Sequence, residues 1–161
     1  MTLSVVDTNV ARVANGRDTH ADVECQLACI DRLEAIVSEG KIALDDGGLI
    51  LEEYSNKLSL AGAPGVGDMF YRHAFNNQYV DGRCVRVVID PASDAEGTFA
   101  QFPTNLAHDG FDRSDRKFVA VALAAPEEAI IYNAVDTDWS YHRAGLIAAG
   151  VVVHELCPHH V

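Results

Sequence analysis

Leu3-Ser4-Val5-Val6 is a short apolar run that stops at Asp7 and continues as Thr8-Asn9-Val10. It is too brief for a helix and has the form of a buried parallel strand that delivers a carboxylate to the top of a sheet. In open α/β sheets ligands bind at that carboxyl edge, which makes Asp7 the first candidate site residue. A strand followed by an Asp/Asn helix cap accounts for the same residues without any function. The decisive question is whether other acids reach the same edge.

The rest of the chain repeats the strand-then-helix theme. Asn9 to Asn15 reads as a short helix or loop ending near Gly16, and Ala21 to Glu39 as a longer helix. In that helix Cys25, Ala28, Cys29, Leu33, Ile36 and Val37 recur at helical spacing, and Gly40 is the stop. Lys41 to Asp45 is a second strand, so the order β-α-β predicts a parallel sheet with right-handed crossovers. Leu49 to Leu58 is a helix with Ile50, Leu51, Tyr54 and Leu58 on one stripe; Glu52 and Glu53 sit early in it, where dipole complementarity explains them as well as chemistry does. Val85 to Asp90, halted by Pro91, and Ala129 to Asn133 are further strands, followed by a final short strand at Val151 to His154.

Between residues 61 and 111 the pattern is least regular, and this stretch reads as an irregular, partly helical insertion. Gly62-Ala63-Pro64-Gly65-Val66-Gly67 has the glycines of a phosphate loop but no Lys-Ser/Thr pair, which makes it a linker. Asp68 to Tyr79 is a helix carrying Met69, Phe70, Phe75 and Tyr79 with Arg72 and His73 between them. Such a face packs in a core, suits a homodimer, or stacks on bases. Phe99 and Phe102-Pro103 form an apolar plug over the sheet.

With 161 residues, 48% hydrophobic, the chain is long and apolar enough to bury one core, and residues 1–161 are expected to form a single domain. No apolar stretch approaches the roughly 20 residues that cross a bilayer, and the N-terminus has no basic-then-hydrophobic leader, so a cytoplasmic protein that meets no membrane is expected. Cys25, Cys29, Cys84 and Cys157 lack paired CxxC spacing and read as reduced core thiols. Cys157-Pro158-His159-His160 reads as a frayed polar tail able to take up adventitious metal. A net charge of −12 excludes nucleic-acid binding through a broad basic surface.

Acids past strand ends accumulate: Asp7, Glu53, Asp112 or Asp115, and Asp136 or Asp138. Asp112 with Asp115 also has the form of a helix-capping arrangement, and Asp138 or Ser140 that of the cap of a helical segment ending near Ala149-Gly150. A parallel sheet would nevertheless gather all four groups at one edge. Carboxylates within about 4–6 Å raise one another's pKa unless a cation sits among them. Mg²⁺ or Mn²⁺ suits an all-oxygen site, and such an ion activates water and stabilises charge on a phosphate. Arg72, Arg113, Arg116, Lys117 and Arg143 are candidate phosphate contacts, although solvated helix faces explain them equally.

Four segments resemble, in order, the acidic motifs of the PIN-domain nucleases: Val5-Val6-Asp7-Thr8-Asn9-Val10, Ile50-Leu51-Glu52-Glu53-Tyr54, Asp115-Arg116-Lys117-Phe118-Val119-Ala120-Val121-Ala122 and Asp136-Thr137-Asp138-Trp139. The resemblance implies a three-layer α/β/α sandwich with a mostly parallel sheet of about five strands, and Mg²⁺- or Mn²⁺-dependent cleavage of RNA. It implies Asp7, Glu53, Asp115 and Asp136 as the catalytic acids and metal ligands, with Asp138 accessory and Asp112 the alternative to Asp115. Thr8 and Asn9 match the family's polar residues that orient the first aspartate or the substrate phosphate. Many relatives are toxins held by an antitoxin, so a regulatory protein partner belongs to the same expectation. The chain departs from the pattern at Ala134, where a Thr or Ser is usual, and in the length of residues 62–111. A catalytically degenerate domain that binds RNA or a protein without cutting is the alternative, and a phosphoaspartate-forming phosphotransferase ranks below it, because Asn9 stands where that chemistry needs a second aspartate.

Overall fold

A computed structural model describes residues 2–17, 20–61, 63–92 and 97–161. Its centre is β1 (Leu3–Val6), buried along its whole length. β1 pairs in parallel with β2 (Lys41–Asp45) on one side and β4 (Ala129–Asn133) on the other. β3 (Cys84–Val87) adds to β2 and β5 (Val152–Glu155) to β4, both in parallel, for the order β3-β2-β1-β4-β5.

An all-parallel sheet obliges every connection to cross over, and right-handed crossovers assign the faces. α1 (Thr8–Ala14), α2 (Val23–Glu39), α3 (Leu49–Lys57) and α4 (Val66–Asn77) follow β1 and β2 and pack together as one layer. α5 (Thr104–His108), α6 (Arg116–Ala124), α7 (Thr137–Tyr141) and α8 (Arg143–Ala148) follow β3 and β4, and α6 lies across β1, β2 and β4. The result is the expected three-layer α/β/α sandwich. Because the chain leaves β1 toward one layer and β4 toward the other, a crevice opens between their carboxyl ends.

The second layer is built on aromatic rings. Phe111 meets Trp139 edge-on at 5.2 Å and Phe102 at 5.6 Å, and all three are buried with Phe99, as the expected plug requires. In the first layer α4 buries Phe70, Tyr71 and Ala74 and leaves Met69, Phe75 and Tyr79 exposed, so the aromatic run does not share one face.

Several sequence expectations are corrected. Gly62 lies outside the described residues, but Gly65 and Gly67 are not linker. Gly65 caps α4, and a Cβ on Gly67 would stand 2.0 Å from the Ala11 carbonyl oxygen; α4 approaches α1 so closely that only glycine fits. Asp68 locks that contact, accepting from Asn15 Nδ2, from the Ser59 amide and from the Gly65 amide. The segment ending near Ala149 is two helices, α7 and α8, parted at His142, and the first is capped by Asp136 rather than by Asp138 or Ser140.

The cysteine reading is half overturned. Cys25 and Cys157 form a disulfide, whereas Cys29 and Cys84 are free and buried. The partners lie 132 residues apart and are joined by the packing of α2 against the segment after β5, which no local spacing announces. With this pairing the cysteines no longer argue for a reducing compartment. The polar tail is also docked: Pro158–His160 forms a 3-10 turn, and His159 Nε2 lies 2.9 Å from Asp22 Oδ2. Among the described residues no helix is long and apolar enough to cross a membrane.

Candidate metal centre

Three acids from distant segments meet in the crevice between β1 and β4. Asp7 ends β1 and begins α1, Asp115 closes a 3-10 turn (Arg113–Asp115) at the start of α6, and Asp136 precedes α7. One carboxylate oxygen of each lies within 4.8 Å of the others. Asp7 and Asp115 are buried and Asp136 is half-buried, so the cluster is enclosed on the protein side and open through Asp136.

Hydrogen bonds fix Asp7 on both oxygens. The Asn9 amide donates to Oδ1 at 3.0 Å and Trp139 Nε1 donates to Oδ2 at 2.8 Å. Asp136 Oδ1 accepts from the Asp138 amide at 2.9 Å. Asp115 is different: its Oδ2 is buried and, among the described residues, has no hydrogen-bond partner. A buried carboxylate oxygen without a donor is costly.

The electrostatics follow from this crowding. Burial pushes Asp115 up to about 10, helped by the charges of Asp7 and Asp136, by the hydrogen bond a protonated Asp115 makes to Asp136, and by Asp112. Burial also raises Asp7 to about 6, against the lowering effect of the Asn9 and Trp139 donors; Glu53 and Asp136 add repulsion. The cation-free cluster therefore keeps a proton on Asp115 at neutral pH. Three hard oxygen donors, of which Asp115 has an oxygen without a partner and both Asp115 and Asp7 are pushed toward neutrality, fit a hard divalent cation such as Mg²⁺ or Mn²⁺.

No matching family model, curated protein or solved structure was found for the chain. The chemistry of the centre therefore rests on its own residues.

The other sequence candidates are arranged around the trio rather than in it. Glu53 Oε1 accepts from Lys117 Nζ at 2.7 Å and Oε2 from the Thr8 hydroxyl, so its charge is balanced by a lysine. Asn9 clamps the loop after β4: its Oδ1 accepts from the Ala134 and Val135 amides and its Nδ2 donates to Asn133 Oδ1. Asp112 is exposed and caps the 3-10 turn through Ser114. Asp138 Oδ2 accepts from the Asp112 amide, and its Oδ1 lies 3.4 Å from His142 Nε2. Asp138 thereby ties the two acidic loops together.

Of the basic candidates, Arg116 is buried, donates to the Phe111 carbonyl and lies 5.1 Å from the Phe102 ring centroid, so it holds the fold. Arg72 donates to the Ala61 carbonyl. Asn133 belongs to the site as well: it is fully buried, and the only sign of it in the sequence is an amide at the end of the apolar run of β4. Asn133 Nδ2 donates to the Asp136 carbonyl and to Glu155 Oε2, coupling the Asp136 loop to the end of β5. A pocket of about 470 Å³ lies beside the trio, lined by Trp139 and Glu155 but by none of the three acids.

Proposed function

We propose that the protein is a divalent-metal-dependent endoribonuclease of the PIN type, with Asp7, Asp115 and Asp136 holding Mg²⁺ or Mn²⁺. The observation that carries this reading is the meeting of three carboxylates at the strand-order reversal, one of which, Asp115, has a buried oxygen without a hydrogen-bond partner among the described residues. The bound ion would supply charge neutralisation and Lewis acidity for in-line displacement at a phosphodiester. The residues do the rest. Trp139 and the Asn9 amide fix the Asp7 rotamer, Asn133 and Asn9 hold the Asp136 loop, and Asp115 would hold the ion as a carboxylate. Glu53, charge-balanced by Lys117, keeps negative potential on Asp7. A cytoplasmic location and an antitoxin or other regulatory partner belong to the same reading.

One observation favours a second reading. Because Glu53 is engaged by Lys117 and Thr8, the cluster has three acids rather than four, as a domain that binds RNA or a protein without cutting could have. Incubating an RNA pool with Mg²⁺, Mn²⁺ or chelator, and comparing the native protein with Asp7→Asn prepared identically, separates the two. Metal-dependent cutting that vanishes in the variant supports the nuclease. A folded native protein that binds Mn²⁺ and leaves the pool intact supports the second reading.

A further inference from the structure

The docked C-terminal turn assembles a second and chemically different set of donors. Asp22 Oδ2 lies 2.9 Å from His159 Nε2, and Asp22 Oδ1 lies 3.5 Å from His160 Nε2. One donor atom from each residue falls within 4.8 Å of the others. We propose that Asp22, His159 and His160 form a binding site for a borderline divalent transition-metal ion, Zn²⁺ above all, which fastens the C-terminal turn to the start of α2.

The donor set carries the choice of ion. Two imidazoles and one carboxylate match zinc, and nitrogen donors distinguish this site from the all-oxygen trio that suits Mg²⁺ or Mn²⁺. The spacing agrees as well. Metal–ligand bonds of about 2.0–2.2 Å in a tetrahedron place donors about 3.3 Å apart; each imidazole lies near that distance from one oxygen of Asp22, His159 Nε2 at 2.9 Å from Oδ2 and His160 Nε2 at 3.5 Å from Oδ1. The site is open to solvent, with side-chain exposures of 50% for Asp22, 42% for His159 and 21% for His160, so water would fill the remaining coordination position.

The site is also preorganised. Asp22 is fixed as the N-cap of α2 by the Cys25 amide at 2.8 Å, and Cys25 is itself disulfide-bonded to Cys157, next to Pro158 and His159. Both segments that supply ligands are thus covalently joined before any ion arrives, and little chain entropy remains to be lost on binding. Cys29 offers no competing thiolate, since burial pushes its thiol up to about 12.

The test is Zn²⁺ titration of the full, disulfide-intact chain by calorimetry, repeated with Co²⁺ to read tetrahedral coordination from visible absorption. Four proteins are compared: native, His159→Gln, His160→Gln, and Asp7→Asn/Asp115→Asn. The expected result is a histidine-dependent equivalent of Zn²⁺ in both the native protein and the double aspartate variant, any further equivalent at the Asp7–Asp115–Asp136 trio being absent from the latter, with affinity at the histidine-dependent site lower by about tenfold or more in each histidine variant, since loss of a ligand exceeds loss of a residue that merely supports one. Circular dichroism of the two surface histidine variants confirms that they are folded. The proposal is overturned by no stoichiometric Zn²⁺ binding, by binding unchanged in both histidine variants, or by loss of all binding in the double aspartate variant.

Discussion

Replacing Asp115 by Asn should make the cation-free protein less sensitive to rising pH. The Asp115 carboxyl ordinarily titrates near 3.8 and is pushed up to about 10 in the folded chain. Between those values the native state holds a proton that the unfolded state has released, so stability falls as pH rises. Asp7, raised to about 6, contributes only below that pH, and the lowered histidines His73 and His154 act below their ordinary 6.5. The raised thiols of Cys29 and Cys84 act only near their ordinary 9.0 and above. From about pH 6.5 to about pH 8, Asp115 therefore dominates, and one extra proton over that interval corresponds to about 2 kcal/mol. For a chain of this length that is a fall in Tm of about 4–8 °C. Thermal unfolding of metal-stripped protein should show this fall in the native chain and a nearly flat profile in Asp115→Asn. Saturating Mn²⁺ should raise the native Tm most at the alkaline end. A native profile that is flat or rises with pH, or an equal slope in the variant, refutes the reasoning.

Three further outcomes test other links. Gly67→Ala should destabilise the protein by about 1–3 kcal/mol in denaturant unfolding, through overpacking against the Ala11 carbonyl, although the same change in an open helix stabilises. Trp139→Phe removes the donor to Asp7 Oδ2 and should lower Mn²⁺ affinity about tenfold in calorimetry while the fold is retained; unchanged affinity would mean the indole does not position Asp7. Cys157→Ser should cost about 2–4 kcal/mol of stability by freeing α2 from the segment after β5, read as a lower midpoint in chemical unfolding.

What was legible in the sequence was what short segments and chain topology determine. The apolar run ending at Asp7 is β1, and the alternation of strands and helices is enough to make the sheet parallel and to bring the acids toward one edge. Choosing within each acidic pair was beyond it. Asp112 and Asp115 differ by one 3-10 turn, and that turn aims one outward to cap Ser114 and the other into the crevice. Asp136 and Asp138 both bond nearby amides, but only Asp136 also reaches the trio. Contacts between remote segments left no local pattern. The Cys25–Cys157 bridge, the glycine contact of α4 with α1, and the lysine that balances Glu53 all depend on packing between elements distant in sequence.

Mn²⁺ binding across single aspartate variants tests the metal centre most directly. Stoichiometry and affinity are measured for Asp7→Asn, Asp115→Asn and Asp136→Asn, with two neighbours outside the trio for comparison: Asp112→Asn, which caps the 3-10 turn, and Asp138→Asn, which bonds the Asp112 amide. One centre built from the trio predicts sharp loss of binding in the first three and near-native affinity in the last two. Undiminished binding in Asp7→Asn and Asp115→Asn, or equal loss in Asp112→Asn and Asp138→Asn, would contradict it.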